Sequence, residues 1–233
     1  MNDSSNVDNG RIDMPQVRFK ISMSLDGFVA GPRQSVQDPL GVGGTRLHEW
    51  VIPLAAFRSL LGIAGEGVVN ESNAVVEASI ANLGATVMGR NMFGGHPGKW
   101  NDANPWLGWW GSNPPFHHPV FVVTHHPRAP LTLEGGTTFT FVTDGIESAL
   151  AQARRAAGAK DVSLAGGAHV AREFLKAGLV DEMEINLVPT LLGSGERLFD
   201  GTGEDLHGLE LVRTVAMPNV THLKFARQSS ART

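Results

Sequence analysis

Residues 162–199 read VSLAGGAHVAREFLKAGLVDEMEINLVPTLLGSGERLF. A short apolar strand, 162–165, runs into Gly166-Gly167 and straight on into an amphipathic helix, and an alternating strand follows. A diglycine between strand and helix lets another molecule approach the backbone, with the unpaired N–H groups of the helix start aimed at it. Those donors and the helix dipole suit an anion such as a pyrophosphate. The alternative is a tight βα turn that binds nothing. In the second strand Met183, Ile185 and Leu187 point one way and Glu182, Glu184 and Asn186 the other.

Outward from this unit the same alternation of strand and helix continues. Towards the C-terminus, 209–216 and 221–227 flank Pro218-Asn219 and predict an antiparallel hairpin. Towards the N-terminus, 17–23 (VRFKISM) alternates as a strand and is followed by the loop SLDGFVAGP. A Gly-rich loop spans 34–45, and helical spacing covers 47–61 with Pro53 at a start or a break. A second helix is expected over 71–83, capped by Asn70 or Ser72. Strands are expected at 85–88, 120–124 and 138–142, and an Ala-rich helix at 146–157 started by Asp144. The pattern predicts one α/β domain over 16–227: a mainly parallel twisted sheet, an antiparallel C-terminal edge hairpin and helices on both faces. Residues 1–15 and 228–233 are polar and expected to be disordered.

The composition excludes several functions. In 233 residues the net charge is −4, without a Lys/Arg run, so there is no basic field for nucleic acid. With no Cys there is no disulfide, thiolate nucleophile or zinc–thiolate site. The start lacks the apolar core of a secretory signal and no later stretch is long enough to span a bilayer, which suggests a cytoplasmic protein with no membrane partner.

Gly41-Val42-Gly43-Gly44 follows no strand and is not a dinucleotide fingerprint, and Gly193-Ser194-Gly195 lacks the context of a nucleophile elbow. His117-His118 and His125-His126 each offer at most one imidazole to a common ion, so no metal site is expected. Trp100, Trp106, Trp109 and Trp110 lie in an aperiodic stretch, 94–119, and are read as packing a long loop onto the core or a partner subunit. In an open α/β sheet ligands sit at the carboxyl ends of strands. Here those ends carry Gly89-Arg90, Thr124-His125-His126 and Gly166-Gly167, a set suited to a phosphorylated dinucleotide with Arg90 as a bidentate phosphate partner.

SLDGFVAGP, GATVMGRNMF, PVFVVTHHP, VSLAGGAHVAREFL and LVDEMEINLVPTLLGSGERLF, in that order, resemble the dihydrofolate-reductase-like superfamily. The branch they resemble contains the C-terminal reductase domain of the bifunctional riboflavin-biosynthesis deaminase-reductase, here as a stand-alone reductase-type domain. The resemblance implies NADPH bound without a Rossmann fingerprint. It places Gly89, Arg90 and Asn91 along the cofactor and Thr124 and His125 near the adenosine phosphate. Gly166, Gly167, Ala168 and His169 would receive the pyrophosphate. Ser24, Asp26 and Phe28 would border nicotinamide and substrate, and 192–198 would close the same cleft. Folate-reducing members carry a helix carboxylate two residues after a proline; counted from Pro53 that position is Ala55, which speaks against dihydrofolate reduction. Glu49 is a substitute, and Asp26 is the expected catalytic carboxylate unless it only forms an Asx turn with Gly27.

The reading is thus an NADPH-dependent oxidoreductase passing hydride to a C=N or C=O of a small polar heterocyclic or sugar-like substrate. One alternative is a ribosylaminopyrimidine-phosphate reductase of riboflavin biosynthesis, with Lys20 or Arg197 for the substrate phosphate. Another is a non-catalytic NADPH-binding or ligand-sequestering protein. The resemblance and the Trp-rich stretch also imply a homodimer.

Overall fold

The computed structural model describes residues 15–101, 103–203, 206 and 208–227. The expected disorder of 1–15 and 228–233 falls, apart from Pro15, outside the described residues. Strands β1 (Val17–Ser24) and β2 (Phe28–Ala30) are followed by a 3-10 turn (Gly44–Leu47), α1 (Ala55–Leu60) and α2 (Glu71–Ile80). Next come β3 (Leu83–Gly89), α3 (Arg90–Phe93), β4 (Pro119–Val123), β5 (Leu131–Thr132), β6 (Thr138–Val142) and α4 (Ile146–Ala157). The chain continues through β7 (Asp161–Gly166), α5 (Ala168–Lys176), β8 (Glu182–Val188), β9 (Glu196–Arg197), β10 (Leu209–Met217) and β11 (Val220–Arg227).

A nine-stranded sheet has the order β10-β11-β8-β1-β7-β3-β4-β6-β5. Its six inner strands, β8 to β6, are parallel, whereas at the edges β11 pairs antiparallel with β8, β10 antiparallel with β11, and the short β5 antiparallel with β6. This is the expected mixed α/β domain. The pair β2–β9, which sequence periodicity did not suggest, makes a second small sheet from pieces of two loops.

Alternation along each strand sorts the side chains into two layers. On one face Phe19, Val87, Leu164, Met183 and Ile185 meet α4 and α5 in the main core. On the other face the apolar residues split into two clusters. One gathers Leu47, Trp50, Leu54 and Val76 from the 3-10 turn to α2. The other gathers Met88, Phe93, Val122, Phe139 and Phe141 under the Trp-rich loop. The intervening positions on β1, β7 and β3 include Lys20, Ser22, Ser163 and Thr86, and these line a hollow. The apolar pattern of this face therefore leaves room for a ligand.

Helical spacing over 47–61 overestimates α1. The chain turns through 48–53 and becomes helical at Ala55, because Pro53 has no N–H to continue a helix. Asn70 caps α2 as expected, its Oδ1 accepting the Asn73 N–H at 3.0 Å. Asp144 does not cap α4; Gly145 occupies that position, and the Asp144 carboxylate accepts from Thr143 Oγ1 instead. Among the described residues no helix is long and apolar enough to cross a membrane.

Candidate functional site

The sheet register brings the expected ligand-binding ends together. Strands β7, β3 and β4 are neighbours, with Met88 opposite Gly166 and Gly89 opposite Val123. A cleft of about 1770 Å³ runs past these ends and over the hollow described above. All nine positions expected along a cofactor, Gly89, Arg90, Asn91, Thr124, His125, Gly166, Gly167, Ala168 and His169, line it.

Gly166 has φ +104°, open to glycine but rarely to other residues, and the peptide to Gly167 is cis. A Cβ built on Gly166 or Gly167 meets nothing within 4 Å, so here the backbone itself is the wall of the cleft. Gly89 is small for another reason. Its Cβ would stand 2.8 Å from Val170 Cγ2, so glycine lets α5 pack onto the end of β3. Thr124 is buried and its Oγ1 accepts the His126 N–H at 3.2 Å, ordering the turn that exposes His125.

Arg90 is engaged differently from a free bidentate fork. Its guanidinium stacks on Trp100, 3.1 Å from the ring centroid, and Nη2 donates to the His96 carbonyl at 2.6 Å. Nη1 is buried without a hydrogen-bond partner. Arg128 lies over the same indole at 4.8 Å. Burial, and secondarily the Arg128 charge, lower the Arg90 pKa to about 10. Two cations on one indole, with an orphaned donor between strand end and cleft, make a place suited to an anion.

Ser24, Asp26 and Phe28 are not among the residues that line the cleft. Ser24 is fully buried and donates to Asp26 Oδ1 at 2.6 Å. The Leu192 and Gly193 N–H groups donate to the same carboxylate at 3.1 and 2.7 Å. The Ser24 hydroxyl first, and these amides with it, hold the Asp26 pKa down at about 2. A carboxylate so held is ionised at neutral pH, and its oxygens tie the loop after β1 to the loop after β8, the turn-forming alternative to its expected catalytic role. Phe28 is buried beneath Arg197, whose Nη1 donates to the Asp26 carbonyl, so Arg197 is also committed to this junction. From the expected closing segment 192–198, Glu196 lines the cleft. Glu49 and Ala55 do not.

The brace gives a pH prediction. A depressed pKa stabilises the fold above the ordinary carboxylate range, and that contribution disappears as pH falls from about 4 towards 2. In an acid titration the Leu192 and Gly193 amide signals should move with a midpoint near 2, and a midpoint at the free value of 3.8 would show the carboxylate unbraced.

The other half of the cleft is lined by Lys20, offered above for a substrate phosphate, and by residues that local sequence did not single out for a ligand. Lys20 and Ser22 on β1 pair across the sheet with Glu184 and Asn186 on β8, and all four line the cleft. Glu184 and Asn186 lie on the face of β8 opposite Met183 and Ile185, as their alternation predicts, and they are buried because α2 and the turn bearing Trp50 cover that face. Burial lowers the Lys20 pKa to about 8, against the attraction of Glu184, and its Nζ donates to Ser79 Oγ at 2.7 Å. Burial also raises the pKa of Glu184, which pairs with Arg213 at 3.0 Å. The Trp50 indole N–H donates to Ser22 Oγ at 3.1 Å.

The sequence profile of the family described as the RibD C-terminal domain matches residues 15–223. The chain belongs to that family. Membership bears out the resemblance to the reductase domain of the riboflavin deaminase-reductase. "Uncharacterized protein YwjB" of Bacillus subtilis (strain 168) is 35% identical over 60 residues, 26% of this chain and 34% of that protein. The matched part is thus about a third of that relative's length. A solved Shewanella sp. PV-4 structure named for riboflavin biosynthesis superposes with a TM-score of 0.61 at 22% identity, covering 92% of this chain and 99% of that one. RibD of Acinetobacter baumannii superposes at 0.53 and 20% identity, covering 92% of this chain and 58% of its own. The Thermotoga maritima diaminohydroxyphosphoribosylaminopyrimidine deaminase/5-amino-6-(5-phosphoribosylamino)uracil reductase does so at 0.53 and 14%, covering 92% and 57%. At these identities the structural likeness is one of fold. The chain spans little more than half of the last two proteins.

Proposed function

We propose that this protein is an NADPH-dependent reductase that transfers hydride to a C=N or C=O carbon of a small polar heterocyclic or sugar-like substrate. The observation that carries the reading is the single wall made by the ends of β7, β3 and β4: bare backbone at Gly166-Gly167, the N-terminus of α5 and an orphaned guanidinium donor. Membership of the RibD C-terminal domain family supports it. The backbone from Gly166 to His169 would hold the pyrophosphate, with Arg90 Nη1, Asn91, Thr124 and His125 towards the adenosine phosphate. Bound there, the cofactor supplies the hydride, and the protein supplies position and exclusion of water.

The residues over the hollow then act on the substrate. Lys20, with a pKa of about 8, still carries a proton at neutral pH and replaces Asp26 as the candidate proton source. A narrower reading takes 5-amino-6-(5-phosphoribosylamino)uracil, the substrate in the name of the Thermotoga protein, with Lys20 on its phosphate. A pH profile separates the two roles. If Lys20 donates the proton, kcat falls as pH rises through about 8; if it pairs with phosphate, KM rises there and kcat stays level.

The test is loss of nicotinamide absorbance with NADPH and a panel of acceptors that includes this phosphoribosylaminouracil. Tight NADPH binding without turnover on any acceptor would favour a binding or sequestering protein, and absence of NADPH binding would end the reading. Arg90→Ala should weaken NADPH by about tenfold or more relative to its effect on NADH, as expected for a lost charge-assisted hydrogen bond. Equal losses for the two nucleotides would remove Arg90 from the adenosine phosphate.

The homodimer is a separate proposal. Trp100, Trp106 and Trp110 pack on the aromatic cluster of their own chain and Trp109 packs on Trp106, while all four stay half-exposed.

A further inference from the structure

Behind the substrate half of the cleft lies a buried polar chain that the proposed reaction does not use. His222 on β11 is fully buried and stands opposite Asn186 on β8, which in turn stands opposite Ser22 on β1. His222 Nδ1 lies 2.7 Å from Asn186 Oδ1, and Nε2 lies 2.8 Å from Ser72 Oγ on α2. The edge of its ring meets Trp50, 5.0 Å between centroids, and Trp50 holds Ser22. Asn186 and Ser22 line the cleft, whereas His222 and Ser72 do not.

The chemistry of these atoms sets the direction of every bond. An amide oxygen only accepts, so Nδ1 carries the ring proton. Burial, with a smaller push from the Arg213 charge, lowers the His222 pKa to about 4, so the ring is neutral and Nε2 accepts from the Ser72 hydroxyl. With Oδ1 held by the ring, the Asn186 NH2 group has no partner among the described residues. Ser22 Oγ accepts from Trp50, which leaves its own hydroxyl hydrogen to donate.

We propose that His222 is a positioning residue that locks the Asn186 amide from the neighbouring strand, so that Asn186 Nδ2 and Ser22 Oγ present adjacent donors to the cleft and select a substrate bearing carbonyl-type acceptors there over one bearing amino groups. The selection deepens the proposed function, but it concerns binding and does not depend on hydride transfer.

Two probes of similar size read it directly: 5,6-diaminouracil, with ring carbonyls, and 2,4,5,6-tetraaminopyrimidine, with amino groups in their place. NADP+-loaded protein titrated calorimetrically should prefer the first by roughly tenfold, the scale of one or two hydrogen bonds between polar partners. His222→Asn places an N–H near the Nδ1 position and should retain the preference. His222→Gln places it near Nε2 and should lose it, and NADP+ affinity should be the same in both. Equal behaviour of these two variants, or no discrimination by the wild type, would overturn the proposal. Asn186→Asp, which leaves His222 in place, should reverse the preference, and an unchanged one would also overturn it. Ring-nitrogen NMR of the unliganded protein gives a readout that needs no ligand: a proton on Nε2 of His222 sinks the proposal whatever the probes do. Preferential binding of diaminouracil by a protein that oxidises NADPH with none of the acceptors offered would leave this inference standing and remove the reductase reading instead.

Discussion

Gly167→Val is expected to abolish NADPH binding, raising Kd by about 100-fold or more, which corresponds to about 2.7 kcal/mol. The Gly167 backbone, φ −64° and ψ −174°, is extended and available to any residue, and a Cβ there touches nothing within 4 Å. The folded protein therefore has room for the side chain. Its main cost to the fold is the replacement of a tolerated residue by a poor one at the N-cap of α5, about 1 kcal/mol, or a fall in melting temperature of no more than about 4 °C. A pyrophosphate drawn onto the N-terminus of α5 has to occupy the volume the valine methyls would fill. Calorimetric titration and a thermal melt on the same sample separate the two effects. A variant that binds NADPH within about threefold of wild type would take the diglycine out of the cofactor site, and with it the observation on which the proposed function rests.

Phe93→Ala carries the largest expected loss of stability, about 3–5 kcal/mol, the range for deleting a buried aromatic ring. Phe93 is fully buried and its ring meets Trp100, Phe139 and Phe141 edge-on, at 5.8, 5.0 and 5.3 Å between centroids. Its carbonyl accepts the Trp106 indole N–H at 2.9 Å, so it also anchors the Trp-rich loop. Arg90 opens the same four-residue helix, and Trp100, on which Arg90 stacks, belongs to the same cluster. The cavity should therefore weaken NADPH as well as the fold. Urea denaturation measures the first loss and nucleotide titration the second; Phe93→Leu should recover most of both. A stability change below about 1 kcal/mol would mean that the cluster collapses onto the vacancy and is not the support described.

The half of the cleft proposed for the cofactor was legible as a set of converging strand ends because its signals are local. Gly166-Gly167 sits between two periodic segments, Gly89-Arg90 ends one apolar run and Thr124-His125 ends another. Once these runs are strands of one parallel sheet, their ends are brought to one edge. Arg90 shows the limit of such reading: its position at the cleft was visible, but its stacking on Trp100 depends on a loop without periodicity. Asp26 shows it more sharply. An Asx turn and a proton donor look alike in SLDGF, and the amides that hold the carboxylate belong to Leu192 and Gly193, 166 and 167 residues away.

The amino-acid sequence by itself determined the layer order and the family, because strand and helix periods, and the glycines that end them, are properties of neighbouring residues. Tertiary structure decided which polar side chains face the cleft. Glu184 and Asn186 alternate with Met183 and Ile185 as a solvated face would, and only the arrival of α2 and Trp50 turns that face inward. Lys20, Ser22 and His222 then acquire their roles from the register of β1, β8 and β11, three strands brought together across more than 200 residues of chain. The hydrogen-bonded register fixes such a pairing to one residue, and nothing in the local pattern of any one strand carries that information.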